Sequence, residues 1–205
     1  MTTYKLTYFD FDGGRGEAIR IAFHSAGIAF EDDRLSFAQF TEQRSGFRFN
    51  ALPVLEIDGV AVTQSNAIGR YVGKLAGLYP GDDLQALYCD EVMDALEDLG
   101  QRFGPTFGMQ GEELRLAREK LVGGWVPVFL RGLAQCLVRG GGSWFAGSAL
   151  TMADLKAFVN VRWLTSGALD HVPADLVQQC APALVEHQQR VEEDPRVVAY
   201  YASRR

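Results

Sequence analysis

Four short segments of this 205-residue chain combine residue types that could hold or activate a small anionic molecule. The first is the glycine turn Asp12-Gly-Gly-Arg-Gly16. Its glycines permit a tight turn, and Arg15 falls where a helix would begin, so that its charge can face a bound anion. The turn also invites a dinucleotide reading, with Asp33 at about the right distance for a ribose contact. Ile19 stands where the third glycine of that fingerprint belongs, and no further strand–helix–strand units follow, so the reading is disfavoured. The second segment is Gln64-Ser65, ahead of a helical pattern. Ser65 is first of all an N-cap. The same place gathers a hydroxyl, backbone N–H groups and the positive helix end, which suits a carboxylate.

The third segment is Ala51-Leu52-Pro53-Val54. A proline opening a strand removes one ladder donor and belongs at a strand start or edge. If the Leu52–Pro53 bond is cis, the Leu52 backbone can pair with an extended peptide ligand, as in strand addition. The residues alone favour an ordinary trans bond, since roughly 5–6% of X–Pro bonds are cis. The fourth segment, Thr151-Met-Ala-Asp154, is a capping box with Asp in place of Glu or Gln, and reads as structural.

Other chemistries find no support. His24, His171 and His187 lack metal-ligand spacing, and no Gly-x-Ser-x-Gly elbow appears. The loop Arg139-Gly-Gly-Gly-Ser143 has no Gly-Lys-Ser/Thr after it, so it is not a phosphate cradle. Cys89, Cys136 and Cys180 form no Cys-x-x-Cys, and three scattered cysteines suit a reducing compartment. The net charge of −6 disfavours nonspecific binding to nucleic acid or anionic membrane. No secretory leader is expected, nor any apolar run approaching a membrane span, which makes a cytoplasmic protein the expectation. With 47% hydrophobic and 22% charged residues, the chain can build a core.

The elements that must position these segments fall into two regions. The first reads β-α-β-α-β-β-α. Strands are predicted over 5–9 and 29–35, a helix over 17–26 and a weaker helix over 36–45 that Ser36 could cap. A hairpin turns at Asp58-Gly59, a pair suited to a type I′ turn, and a helix covers 65–76. Residues 80–84, with Pro80-Gly81, read as a linker. The rest is helical. A helix over 84–103 would turn Leu84, Leu87, Tyr88, Val92, Leu96 and Leu99 inward, and Gly104-Pro105 would break or kink it. A second stretch over 112–138 is disturbed by Gly123-Gly124 and Pro127. Helices over 151–166, 181–193 and 196–201 complete it. No internal repeat is apparent.

Taken together and in order, these contents carry a resemblance. Tyr4-Lys-Leu-Thr-Tyr8-Phe9, Gly14-Arg15-Gly-Glu-Ala-Ile-Arg20, Leu52-Pro53-Val-Leu-Glu-Ile-Asp-Gly59 and Gln64-Ser65-Asn-Ala-Ile-Gly-Arg-Tyr71 closely resemble cytosolic glutathione transferases. The sigma class, which includes haematopoietic prostaglandin synthases and lens crystallins, is the nearest pattern. Trp144 through Asp154 resembles the family's capping box, so the likeness spans nearly the whole chain. It implies a thioredoxin-like glutathione-binding domain over 1–79, the linker at 80–84, and an all-helical domain over 85–205 that carries the acceptor-substrate pocket.

By that resemblance Tyr8 is the catalytic tyrosine, donating a hydrogen bond to the glutathione thiolate, and Arg15 adds positive potential beside the sulfur. Without the flanking motif, Tyr8 would read as a core aromatic. Gln64 and Ser65 would hold the γ-glutamyl end. Leu52, with a cis Pro53, would pair with the cysteinyl part. Phe40 stands where the class usually has a tryptophan, and Arg44 where a lysine usually meets the glycyl carboxylate. Ala51 replaces a second lysine. Asp98 matches the acidic residue that reaches across a homodimer to the ligand's α-amino group; read by itself it is a solvated helix charge. Phe9, Phe103 and Pro105 are candidates for the acceptor pocket, with a hydrophobic electrophile as partner and no metal. Two departures bear on that pocket: one extra residue within Asp10-Phe-Asp-Gly-Gly14, where a second arginine is also missing, and Gly104-Pro105 where a synthase has an aromatic wall. Conjugation is the leading implication. A noncatalytic crystallin-like role and glutathione-dependent isomerisation or peroxide reduction are the alternatives.

Overall fold

The computed structural model describes residues 2–204. They form two compact units, one holding the chain up to Tyr79 together with the residues from Pro195 onward, the other Pro80–Asp194.

The first unit is built on a four-stranded mixed sheet in the order β2-β1-β3-β4. β1 (Tyr4–Phe9) runs parallel to β2 (Glu31–Leu35) and antiparallel to β3 (Val54–Ile57), which pairs in turn with β4 (Val60–Thr63). An interior strand is covered on both faces, and Leu6, Thr7 and Tyr8 are accordingly all buried. α1 (Gly14–Ser25) packs against α3 (Ser65–Leu75) and α10 (Pro195–Ala202). Ile19, Phe23, Leu55, Ile68 and Val72 close the core between helix and sheet. Fully burying each such side chain stabilises the unit by about 1.5–3 kcal/mol. Asp58 and Gly59 both have positive φ, 49° and 81°, as the tight hairpin requires. α2 (Phe37–Gln43) is capped as expected: Ser36 accepts from the Gln39 N–H, and the Gln39 side chain accepts from the Ser36 N–H.

Three element boundaries in this unit differ from the sequence pattern. α1 starts three residues earlier than its apolar pattern, because the glycine turn runs directly into the helix. β2 begins at Glu31, two residues late. Ser65 is not the N-cap of α3. Gln64 takes that position with φ 76° and ψ 107°, and Ser65 is the first helical residue.

The second unit is helical. α4 (Asp83–Phe103) is capped by Asp82, whose carboxylate accepts the Gln85 N–H. Its buried face is Cys89, Val92, Met93, Leu96, Leu99 and Phe103, whereas Leu84 and Leu87 are exposed. The first turn of the helix thus lies outside the core, which its apolar residues do not reveal. Gly104–Gly108 continues as a 3-10 turn. The stretch after it splits at Gly124 into α5 (Gly111–Gly123) and α6 (Trp125–Arg139). Pro127 breaks nothing, because it sits in the first turn of α6, where no intrahelical partner awaits its missing N–H. By length and composition alone Gly111–Arg139 could cross a membrane, contrary to expectation. The stretch is broken at Gly124, and α6 turns Val126, Leu130, Leu133 and Leu137 inward. α7 (Met152–Thr165) and α9 (Pro182–Glu192) pack together, with the short α8 (Leu176–Cys180), which the sequence pattern did not suggest, beside them.

The capping box at the head of α7 forms. Asp154 is fully buried and accepts from the Thr151 N–H, the Thr151 hydroxyl and the Phe145 N–H at 2.8, 2.6 and 2.9 Å, and it meets His187 Nε2 at 2.9 Å. One carboxylate therefore fixes a helix start, the loop before it and α9.

Candidate active site

Tyr8 is the candidate around which the local geometry can be laid out. It lies near the end of β1, 5% exposed, in an apolar cluster with Leu35, Leu52 and Val54, against which Phe9, Phe40 and Phe47 pack. The turn Gly13-Gly14 brings the start of α1 over its ring, so that the backbone N–H of Arg15 donates to the Tyr8 hydroxyl oxygen at 2.9 Å. That N–H belongs to the first turn of a helix, the positive end of its dipole. A hydroxyl that accepts from such a donor is polarised and becomes a better donor itself.

The approach demands glycine at two places. Gly14 has φ +63°, and a Cβ there would fall 2.5 Å from the Tyr8 hydroxyl. Gly16 has ordinary helical geometry, but a Cβ would sit 2.4 Å from Cδ1 of the Tyr8 ring. The sequence offers these glycines only as turn formers; their second role, making room for the phenol, requires the fold.

Around Tyr8 the structure gathers Phe9, Arg15, Phe40 and Leu52; Arg44, Gln64 and Ser65 are described by their own surroundings. The Leu52–Pro53 bond is cis, the form that the residues alone disfavoured and the family resemblance implied. Leu52 and Pro53 are buried and lead into β3. Phe9 meets the Tyr8 ring edge-on at 5.3 Å and the Phe40 ring at 5.1 Å. Arg44 lies exposed, its guanidinium 6.0 Å from the Phe40 ring and its Nε donating to the Asn50 carbonyl at 3.3 Å. Gln64 holds a left-handed conformation that a non-glycine residue adopts at a cost of about 1–3 kcal/mol, and Ser65 is half-buried at the N-terminus of α3. Asp33 is no ribose ligand in this setting: it accepts from the Thr7 hydroxyl at 2.9 Å and pairs with Lys5 at 3.4 Å.

The remaining candidates lie in the helical unit. Asp98 is exposed on α4. Phe103 is fully buried, its ring edge-on to Trp163 at 5.2 Å, and Pro105 is exposed at the start of the 3-10 turn. Buried Arg118 stabilises that turn, donating to the Thr106 hydroxyl at 3.3 Å and the Asp170 carbonyl at 2.9 Å. Among the described residues no group of three or more His, Cys, Asp or Glu could hold a metal.

A charged network beneath the site was not anticipated. Arg20 is fully buried on α1 and donates from Nε to Asp32 Oδ1 at 2.8 Å. Asp32 takes Arg34 on its other oxygen at 2.7 Å. Glu17, also fully buried, has no donor in good hydrogen-bonding geometry; Arg20 and Arg204 stand 3.6 and 3.7 Å from its oxygens. Burial, and secondarily Asp12, pushes the Glu17 carboxyl above its usual range, against weaker pulls from Arg20, Arg204 and the Gly13 N–H. The one sequence signal was an arginine within the apolar run Ala18 to Phe23.

Comparison with known proteins bears on both units. Residues 4–74 match the family model for the glutathione S-transferase N-terminal domain, and residues 97–204 that for the glutathione S-transferase C-terminal domain. The chain is 32% identical over 205 residues to the haematopoietic prostaglandin D synthase of Gallus gallus, covering 100% of this chain and 98% of the relative. It is 30% identical over 209 residues to glutathione S-transferase 3 of Caenorhabditis elegans, with the same coverage. Among solved structures it resembles a prostaglandin synthase D of Nilaparvata lugens (TM-score 0.86, 28% identity, covering 99% of this chain and 98% of that one). A glutathione S-transferase from Ascaris lumbricoides gives a TM-score of 0.80 at 31% identity, with 99% and 98% covered.

Proposed function

The chain belongs to the glutathione S-transferase family, whose members are glutathione-dependent transferases, and from that premise we propose that it conjugates the glutathione thiolate to hydrophobic electrophiles, as a sigma-class homodimer of the cytoplasm. The observation that carries this reading is the Tyr8 hydroxyl, polarised by the Arg15 N–H at the head of α1 and lying in one cluster with Leu52 of the cis-proline segment.

Each residue has a distinct task. The Tyr8 hydroxyl donates to the glutathione sulfur. A hydrogen bond to a charged group contributes roughly 1.5–3 kcal/mol, which lowers a thiol pKa by about one to two units. A thiol that ionises near 8.5 in solution is then substantially anionic at neutral pH. Arg15 adds positive potential beside it. The Leu52 backbone aligns the cysteinyl part, Gln64 and Ser65 take the γ-glutamyl end at the N-terminus of α3, and Phe40 with Arg44 receives the glycyl end. Ala51 supplies no cation there. Asp98 meets the α-amino group from the second subunit. The glutathione-binding domain is 1–79, the linker 80–84, and the helical domain 85–205 carries the acceptor-substrate pocket with Phe103 and Pro105. The thiolate attacks the electrophilic carbon, the leaving group departs with its electron pair, and no metal takes part.

Relatives named as prostaglandin D synthases favour glutathione-dependent isomerisation as a second reading. The same thiolate serves either reaction, so the acceptor pocket alone separates them.

The deciding experiment is ultraviolet titration of the thiolate in the glutathione complex, in wild type and Tyr8→Phe. Wild type should ionise one to two units below free glutathione, and the variant close to it. Equal values in both proteins would remove Tyr8 from its role.

A further inference from the structure

Arg20 has no part in the roles above, yet its surroundings are more elaborate than a structural ion pair needs. It is fully buried within a helix segment otherwise made of Ala18, Ile19, Ile21, Ala22 and Phe23. Taking a guanidinium out of water is costly unless its donors are satisfied. Here Nε is met by Asp32, while Nη1 and Nη2 donate to the carbonyls of Phe11 and Phe9, both at 3.1 Å. Those carbonyls flank the loop between Tyr8 and the glycine turn. The same guanidinium lies over the Tyr8 ring, its Cζ 5.6 Å from the centroid, within the distance at which a cation is attracted to an aromatic face.

We propose that Arg20 is a positioning residue for the reaction: clamped by Asp32, it fixes the Phe9–Phe11 loop and sets a positive charge on the face of the Tyr8 ring, so that the hydroxyl donates more strongly to the thiolate. The inference rests on Tyr8 being that donor. The phenol is then polarised from two sides, by the Arg15 N–H at its oxygen and by Arg20 at its ring. A lysine could supply the charge, but it has no planar fork for two carbonyls and a carboxylate at once. The other charged groups here are Glu17 on α1, Asp10 and Asp12 in the loop, Asp32 and Arg34 on β2, and Arg204 after α10. Of these, Glu17 and Asp32 are paired with Arg20 itself and lose that partner when it is replaced, which Arg20→Lys avoids by keeping the charge.

The test uses the full chain as Arg20→Gln, Arg20→Lys and Arg20→Met, each required to keep the wild-type circular dichroism spectrum, with the ionisation of bound glutathione as readout. Arg20→Gln should raise the bound thiol pKa by about half a unit or more. At neutral pH kcat should fall about threefold, while KM for glutathione changes little. Arg20→Lys should lie closer to wild type than Arg20→Gln, and Arg20→Met should shift the thiol in the same direction as Arg20→Gln. In a Tyr8→Phe background the Arg20→Gln shift should vanish. An unshifted thiol in folded Arg20→Gln, or a shift undiminished without the Tyr8 hydroxyl, would overturn the proposal. If Arg20→Gln does not reach the wild-type spectrum, Arg20→Met decides, and an unchanged thiol there overturns it equally. A silent Tyr8→Phe would sink the Tyr8 reading itself; a silent Arg20→Gln beside an effective Tyr8→Phe sinks only this one.

Discussion

The ring of Tyr8 lies so close to Gly16 that a Cβ on residue 16 would stand 2.4 Å from the ring carbon Cδ1 and 2.6 Å from Cγ. Neither side can yield easily, because the Tyr8 ring is packed in the core and Gly16 belongs to the first turns of α1.

Gly16→Ala therefore pits two effects against each other. Alanine is favoured over glycine in a helix by about 1 kcal/mol, whereas overpacking a core costs typically 1–3 kcal/mol. With contacts this short the overpacking wins. The variant should melt below wild type and lose most conjugating activity as the phenol is displaced. Gly132→Ala in α6, where nothing lies within 4 Å of the added carbon, should be stabilising by up to about 1 kcal/mol. Calorimetric melting of both variants checks the pair; a stable, active Gly16→Ala would contradict the close packing.

Asp98 is exposed on its own chain, so its loss should not disturb the fold. Asp98→Ala should weaken glutathione binding severalfold with an unchanged melting temperature; titration calorimetry measures the affinity and scanning calorimetry the melting temperature. An unchanged dissociation constant would argue against a contact across the dimer.

Asp154 behaves in the opposite way. Its carboxylate holds three donors and meets His187, all without access to water. Asp154→Ala leaves buried N–H groups unpaired, each costing about 1–3 kcal/mol. Denaturant unfolding should show a loss of several kcal/mol. Whatever fraction remains folded should still ionise bound glutathione as wild type does, since Asp154 belongs to the helical unit's scaffold.

Glu17 sets a pH dependence. Burial raises its carboxyl pKa in the folded state, so the native protein binds its proton more tightly than the unfolded chain does. Stability from this group is then full below the unfolded value of 4.5 and declines as pH rises through the raised native value. Glu17→Gln removes the charge but keeps the shape. It should melt higher than wild type at neutral pH, and the gain should shrink to nothing below that unfolded value. A gain that persisted at acid pH would point to packing instead of ionisation.

Much of the first unit was legible along the chain. The β-branched and aromatic run 5–9, Asp58-Gly59 and Ser36 specify strand, hairpin and cap through contacts a few residues apart. So did Thr151 and Asp154, whose spacing alone makes the box. Failures came where a choice depends on distant partners. The inward face of α4 is set by what packs on it, so Leu84 and Leu87 point outward despite their type. The head of α3 shifted by one residue because the chain enters it through the left-handed Gln64, which lies just beyond β4.

The sequence by itself determined the kinds of element, their order and, through the ordered motifs, which tyrosine and which serine to examine; those are properties of near neighbours and of pattern. Only the tertiary structure decided that Leu52–Pro53 is cis, that two glycines make room for a phenol, and that Arg20 reaches from α1 to Asp32 and to the Tyr8 ring. Such relations join residues of different elements, and their energies depend on burial, which removes the competing water and has no counterpart in the order of residues along a chain.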